Sequence, residues 1–186
     1  VDLAKELIDV AAIAGCHYAK FQKRTPDLCV PEAQKQVPRE TPWGTMPYID
    51  YKKKIEFEKE EYDELVSYSK SKGIECFASV WDLPSVEFMK QYANIGKIPS
   101  ALITDLELCK ASREAFDILI ISTGMSTEEE IEKCVEACSP DIIMHTNSAY
   151  PSKYEELNLK YISHLESKYP NAEIGYSGHE YGLVST

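Results

Sequence analysis

Six short apolar runs, with helix-forming segments between them, constrain this chain most. They are HYAKFQK (17–23), IECFASVWD (74–82), IGKIPSA (95–101), DILIISTGM (117–125), DIIMHTNSAYP (141–151) and AEIGYSGH (172–179). Apolar runs of this length bounded by turn formers read as buried strands. Strands that alternate strictly with helices through short connections build a parallel sheet. The runs share a second property. A hydroxyl or a cation stands at nearly every exit: Lys20 and Gln22, Ser79, Lys97 and Ser100, Ser122 and Thr123, the stretch from His145 to Tyr150, and Ser177 with His179. In a barrel of parallel strands, all C-terminal strand ends open into one mouth. Two lysines, several hydroxyls and a histidine meeting there describe a pocket for a phosphorylated, anionic small molecule, with a metal.

The spacing predicts strands at 17–23, 74–80, 95–99, 118–122, 141–146 and 172–177. Helices are expected at 58–72, stopped by Gly73, and from about Pro84 to Tyr92, Asp105 to Glu114, Thr127 to Cys138 and Glu155 to Tyr169. Thr127 with Glu130 three residues on is a capping box. The chain opens on a helix whose stripe is Leu3, Leu7, Ile8, Val10, Ala11 and Ala14, ended by Gly15. Residues 24–55, with five prolines at 26, 31, 38, 42 and 47, read as one long irregular connection. A connection of that length inside a compact domain is uncommon and usually functional. Six strands do not close a barrel of eight, so the chain is expected to be the central part of a longer protein. An open doubly wound sheet is the alternative, but it gathers its ligand at one switch point rather than at every strand end.

A net charge of −11 argues against a nucleic-acid partner, which needs a basic face. It leaves room for a small anionic substrate, since a few lysines reverse the field inside a cleft. No apolar run approaches the roughly 20 residues of a membrane span. None of the six cysteines forms a C-x-x-C pair, although Cys134 and Cys138 lie one helical turn apart. Reduced thiols acting as small hydrophobes in a cytoplasmic protein is the plain reading, and zinc the sharper one.

Lys20 and Lys97 sit in strands with apolar neighbours, and a lysine held there needs a counter-charge. A phosphate or carboxylate clamp, a Schiff-base lysine and a salt bridge to an acidic residue all answer that need. Ser79, Ser100, Ser122, Thr146, Ser148 and Ser177 would add hydrogen bonds to phosphate oxygens. STGM at 122–125, just before a helix start, suits anion binding as well. His179, in GYSGHEYG, is the histidine best placed to be a ligand. His145 stands at another strand exit, whereas His17 and His164 default to ordinary roles.

KFQ (20–22), TPWG with YIDYKKKIEF (41–57), KIPSALITDLEL (97–108), ISTGMST (121–127), HTNSAYP (145–151) and GYSGHEYG (175–182) together resemble the N-acetylneuraminate (sialic acid) synthase family, with its legionaminate and pseudaminate relatives. The resemblance runs the length of the chain. It implies a (β/α)8 barrel followed by a small antifreeze-like domain. It implies condensation of phosphoenolpyruvate with an N-acetylated hexose such as N-acetylmannosamine, using a divalent metal: manganese, with magnesium or cobalt as alternatives. It also implies a homodimer. Carried over by position, Lys20, Ser79, Lys97, Ser100, Ser122, Ser148 and Ser177 match the phosphoenolpyruvate site. Gln22 and Tyr150 match residues close to the reacting groups, and His179 matches a metal-binding histidine. His145 matches a nearby position that is not a ligand. The family's first strand with its catalytic glutamate, its last barrel strand with a second metal histidine, and the antifreeze-like domain have no counterpart in this sequence. Gly178 stands where many members have aspartate. Two other readings stay open: a Schiff-base pyruvate aldolase using Lys20 or Lys97, and a non-catalytic barrel that binds phosphoenolpyruvate or sugar.

Overall fold

A computed structural model describes residues 1–182 and 185. The chain divides into two compact units, Val1–Ala93 and Asn94–Thr186.

The first unit runs α1 (Asp2–Ile13), β1 (Tyr18–Lys23), α2 (Pro26–Cys29), α3 (Glu32–Lys35), β2 (Pro38–Thr41), β3 (Gly44–Pro47), α4 (Tyr48–Ile55), α5 (Lys59–Ser71), β4 (Glu75–Val80) and α6 (Leu83–Met89). Strands β1 and β4 pair in parallel, with Lys20 opposite Phe77 and Gln22 opposite Ser79. Side chains alternate along a strand, so Ala19, Phe21, Cys76 and Ala78 point the other way. That face meets a core of Ala4 and Ile8 from α1 and Leu65 from α5.

The first helix turns a different side inward from the one expected. Ala4 and Ile8 are buried, while Leu3, Leu7 and Val10 are 60–70% exposed. Apolar residues cover more than half of this helix's circumference, so periodicity alone does not select a face. Ala4 does, because its small side chain lets the helix approach the sheet. Residues 24–55 are also more regular than expected. They hold three short helices and the antiparallel hairpin β2–β3, whose register runs from Pro38–Pro47 to Thr41–Gly44. Gly44 takes φ +97° at the turn, a conformation that favours glycine.

The second unit runs β5 (Ile95–Ile98), a 3₁₀ turn (Ser100–Leu102), α7 (Leu106–Ala115), β6 (Ile118–Ser122), α8 (Glu128–Cys138), β7 (Ile142–Thr146), a 3₁₀ turn (Tyr154–Glu156), α9 (Tyr161–Lys168) and β8 (Glu173–Ser177). Its four strands pair in parallel and in sequence order. No reversal of order occurs here, so the switch point of a doubly wound sheet is absent from this unit. Right-handed crossovers between successive neighbours put every helix on one face. Ile98, Ile121 and Ile143 point toward that face and have no exposed surface. The predicted capping box forms: Thr127 and Glu130 each accept from the other's backbone N–H.

Helix α9 begins six residues later than the sequence suggests. The carbonyls of Glu156 and Leu157 are taken by Asn147 Nδ2 (2.9 Å) and His145 Nε2 (2.7 Å). These carbonyls therefore serve the loop after β7 rather than a helix, and Asn158 adopts a positive φ of 46°.

Candidate active site

The register of the second sheet decides which strand-end residues share a face. Lys97 lies opposite Ile120, Ser122 opposite Met144, and Thr146 opposite Ser177. Counting by twos along β6 and β7 puts Lys97, Ser122, Thr146 and Ser177 on one face, the one turned away from the helices. The same rule puts His145 on the helix face. There it is buried, stacks near Tyr161 and Tyr176, and spends Nε2 on Leu157. It is a structural histidine, as expected from the sequence.

Lys97 is 9% exposed and has protein partners. Ser122 is buried, and its hydroxyl has no hydrogen-bond partner among the described residues. A buried hydroxyl without a partner calls for a specific explanation.

Three strand exits converge beside it. Gly124 N–H donates to Ser100 Oγ at 3.1 Å. A β-carbon added at Gly124 would lie 2.2 Å from Ser148 Oγ, 3.0 Å from Ser100 Oγ and 3.1 Å from the Thr146 carbonyl oxygen. Glycine is required here by close approach, not by backbone conformation. The hydroxyls predicted at 100 and 148 thus come from the ends of β5 and β7 and meet at the buried Gly124, two residues after Ser122 at the end of β6. Gly124→Ala should turn the two serine hydroxyls aside and press the new methyl against the Thr146 carbonyl, which as backbone cannot rotate away. Thermal unfolding should fall by a few degrees, and the displaced hydroxyls at 100 and 148 should hold any anion bound there more weakly.

The loops after β7 and β8 are tied together. His179 Nδ1 donates to the Asn147 carbonyl at 2.6 Å, and Ser152 N–H donates to the His179 carbonyl at 3.1 Å. Fixing the proton on Nδ1 leaves Nε2 as the free lone pair, the arrangement by which proteins orient a metal-binding imidazole. Tyr150 stacks on the same ring, 4.0 Å between centroids, with its own side chain largely exposed. Ser177 is half-buried one step before this loop.

In the first unit Lys20, Gln22 and Ser79 share the face of β1–β4 that α1 and α5 leave uncovered. Ser79 is buried. Lys20 is exposed, contrary to the expectation of a buried lysine, because the helices cover only the opposite side. Desolvation by the surrounding protein nevertheless lowers its pKa from the ordinary lysine value.

Two features here escaped the sequence reading. Arg24 stacks on Trp81 (4.6 Å) and lies 2.7 Å from Glu56, whose carboxyl burial pushes upward. Arg24 also donates to the Gln22 side-chain oxygen, fixing that amide. Asp82 accepts from Thr25 N–H (2.5 Å), Ser85 N–H (2.8 Å) and Cys29 Sγ (3.0 Å). Burial alone would raise its pKa, and these donors bring it below the usual carboxylate range. Nothing in the sequence pattern links 24 to 56 or 25 to 82.

A cavity of about 710 Å³ opens between the β6 and β7 exits, lined by Thr123, Met125, His145, Ser148 and Tyr161 among others. Of the hydroxyls predicted to meet a phosphate it holds Thr146 and Ser148, and neither Lys97 nor Ser122 lines it, so the site rests on the shared sheet face rather than on cavity size.

The sequence matches the NeuB family over residues 7–186. The chain belongs to that family. It is 34% identical over 195 residues to N-acetylneuraminate-9-phosphate synthase of Drosophila melanogaster, covering 99% of this chain and 51% of that protein. It is 28% identical to N,N'-diacetyllegionaminic acid synthase of Campylobacter jejuni, covering 98% of this chain and 58% of the relative. The chain thus spans little more than half the length of these curated relatives. Among solved structures, N-acetylneuraminic acid synthetase from Leptospira borgpetersenii serovar Hardjo-bovis, in complex with citrate, superposes with a TM-score of 0.87 at 31% identity. The match covers 98% of this chain and 61% of that one. The fold of this NeuB-family chain is that of an incomplete (β/α)8 barrel.

Proposed function

We propose that the protein carrying this chain condenses phosphoenolpyruvate with an N-acetylated hexose, N-acetylmannosamine or a close relative, to a nine-carbon sugar acid and releases phosphate. The observation that carries this reading is the partnerless buried hydroxyl of Ser122, on the sheet face of Lys97 and Ser177 and beside the Ser100–Gly124–Ser148 cluster. Such a surface brings hydroxyls and the Lys97 cation to an anion, and the family membership supports phosphoenolpyruvate as that anion.

In the proposed reaction C3 of phosphoenolpyruvate attacks the aldehyde carbon of the open-chain sugar. A C–C bond forms, and the aldehyde oxygen takes up a proton to become a hydroxyl. Water adds to the cationic C2, loses a proton, and the C2–O bond to phosphate breaks to leave the keto acid. Lys97, Ser100, Ser122, Ser148 and Ser177 hold the phosphate and carboxylate. Their work is positioning and charge stabilisation. Tyr150, stacked on His179, orients the reacting groups. His179 Nε2 would be one ligand to a divalent metal, manganese first and magnesium or cobalt as alternatives, which when bound would polarise the sugar carbonyl. The full-length protein is proposed to be a cytoplasmic homodimer. No helix among the described residues is long and apolar enough to cross a membrane.

A Schiff-base lyase is the one competing reading with an observation in its favour, the lowered pKa of Lys20. Two measurements separate the readings. Phosphate release from phosphoenolpyruvate should depend on N-acetylmannosamine and added manganese. Borohydride with pyruvate should leave the protein mass unchanged. A mass gain on Lys20, or phosphate release indifferent to the sugar, would overturn the condensation.

A further inference from the structure

Helices α7 and α8 bring together three cysteines that are far apart in sequence. Cys109 Sγ lies 3.6 Å from Cys134 Sγ, which lies 3.8 Å from Cys138 Sγ, and all three sulfurs fall within 4.8 Å of one another. Cys109 and Cys134 have no exposed surface, and Cys138 has 1%. None belongs to a strand end, and the proposed condensation uses none of them.

The spacing is that of metal ligands. A metal–sulfur bond of about 2.3 Å separates two sulfurs by about 3.8 Å in a tetrahedral array and about 4.0 Å in a trigonal one. The sulfurs already stand close to these values, so an ion could enter with shifts of a few tenths of an ångström. Thiolates select soft cations, chiefly monovalent copper and zinc. Coordination number separates the two. Structural zinc is almost always four-coordinate. This group has three members among the described residues. Its burial leaves no route for water to serve as a fourth ligand. Monovalent copper is stable with three sulfurs. Its single charge also asks less of a dry interior, where each uncompensated charge is costly.

We propose that Cys109, Cys134 and Cys138 form a closed three-sulfur site for a soft monovalent d10 cation, with copper(I) as its natural probe. Loading involves no electron transfer, because the ion arrives reduced. The thiols that become thiolates release their protons to solvent.

The test titrates the reduced, metal-free protein anaerobically with copper(I) against the chromophoric chelator bicinchoninate. The expected result is one copper per chain withheld from the chelator. Cys134→Ser and Cys138→Ser should each weaken retention by more than the ten- to hundredfold that loss of an outer-shell partner typically costs. Cys76→Ala, which removes a buried thiol of the first unit, should leave retention unchanged. Circular dichroism checks that each variant folds. Should one fail, X-ray absorption of the copper-loaded parent decides instead, with three sulfurs at about 2.3 Å expected. Copper released fully to the chelator, retention unaffected by the variants, nitrogen or oxygen ligands, or zinc that copper does not displace would each overturn the assignment.

Discussion

His179→Ala, made in the full-length protein, is expected to lower turnover by at least about a thousandfold while leaving secondary structure and thermal unfolding close to those of the parent. The imidazole is half-buried and makes one side-chain hydrogen bond among the described residues, Nδ1 to the Asn147 carbonyl. Its removal costs the fold no more than that bond and the Tyr150 stack, on the order of 1–2 kcal/mol. The same change should abolish stimulation by manganese, because the nitrogen lost is the one that the Asn147 contact leaves open to metal. His179→Gln keeps a hydrogen-bonding group of similar reach and should not restore turnover. Steady-state rates across a manganese titration measure both effects. Full activity in His179→Ala would remove the histidine from the metal site.

Lys97→Ala is expected to weaken phosphoenolpyruvate by about one to two powers of ten while changing the sugar constant little. A charge-assisted hydrogen bond to a desolvated anion contributes about 1.5–3 kcal/mol. Lys97 lies on the sheet face of Ser122 and Ser177, and it also has protein partners. Part of any loss would therefore come from disturbing those partners, and Lys97→Arg, which keeps the charge, tells the two apart. Binding by titration calorimetry in the absence of sugar gives the phosphoenolpyruvate constant directly. An unchanged constant would place the anion elsewhere.

The parallel strands and their exits were legible in the sequence because a buried parallel strand leaves two plain marks, an apolar run and a polar residue where it ends. Every predicted strand is present to within one residue at each end. The convergence of Ser100, Gly124 and Ser148 was only partly legible. Each exit could be named, but that Gly124 is the point of closest approach depends on atoms brought from three strand ends. The inward face of α1 was not legible, because a helix apolar on most sides offers periodicity no preference. The hairpin β2–β3 was hidden by Pro38 and Pro47, which read as breakers but stand paired at the open end of a two-stranded ribbon. There proline costs no interior ladder bond. Long-range pairs such as Arg24 with Glu56, or Cys109 with Cys134, leave no local mark at all, since packing rather than spacing creates them.

The central claim is that one face of the second sheet, bearing Lys97, Ser122 and Ser177, receives the anionic substrate. A crystal structure of the full-length protein with phosphoenolpyruvate tests it most directly. The account predicts a phosphate or carboxylate oxygen within hydrogen-bond distance of Ser122 Oγ, with Lys97 Nζ and the Ser100–Gly124–Ser148 cluster around the ligand. Phosphoenolpyruvate found instead in the cavity beside Tyr161, with the Ser122 hydroxyl still partnerless, would contradict it.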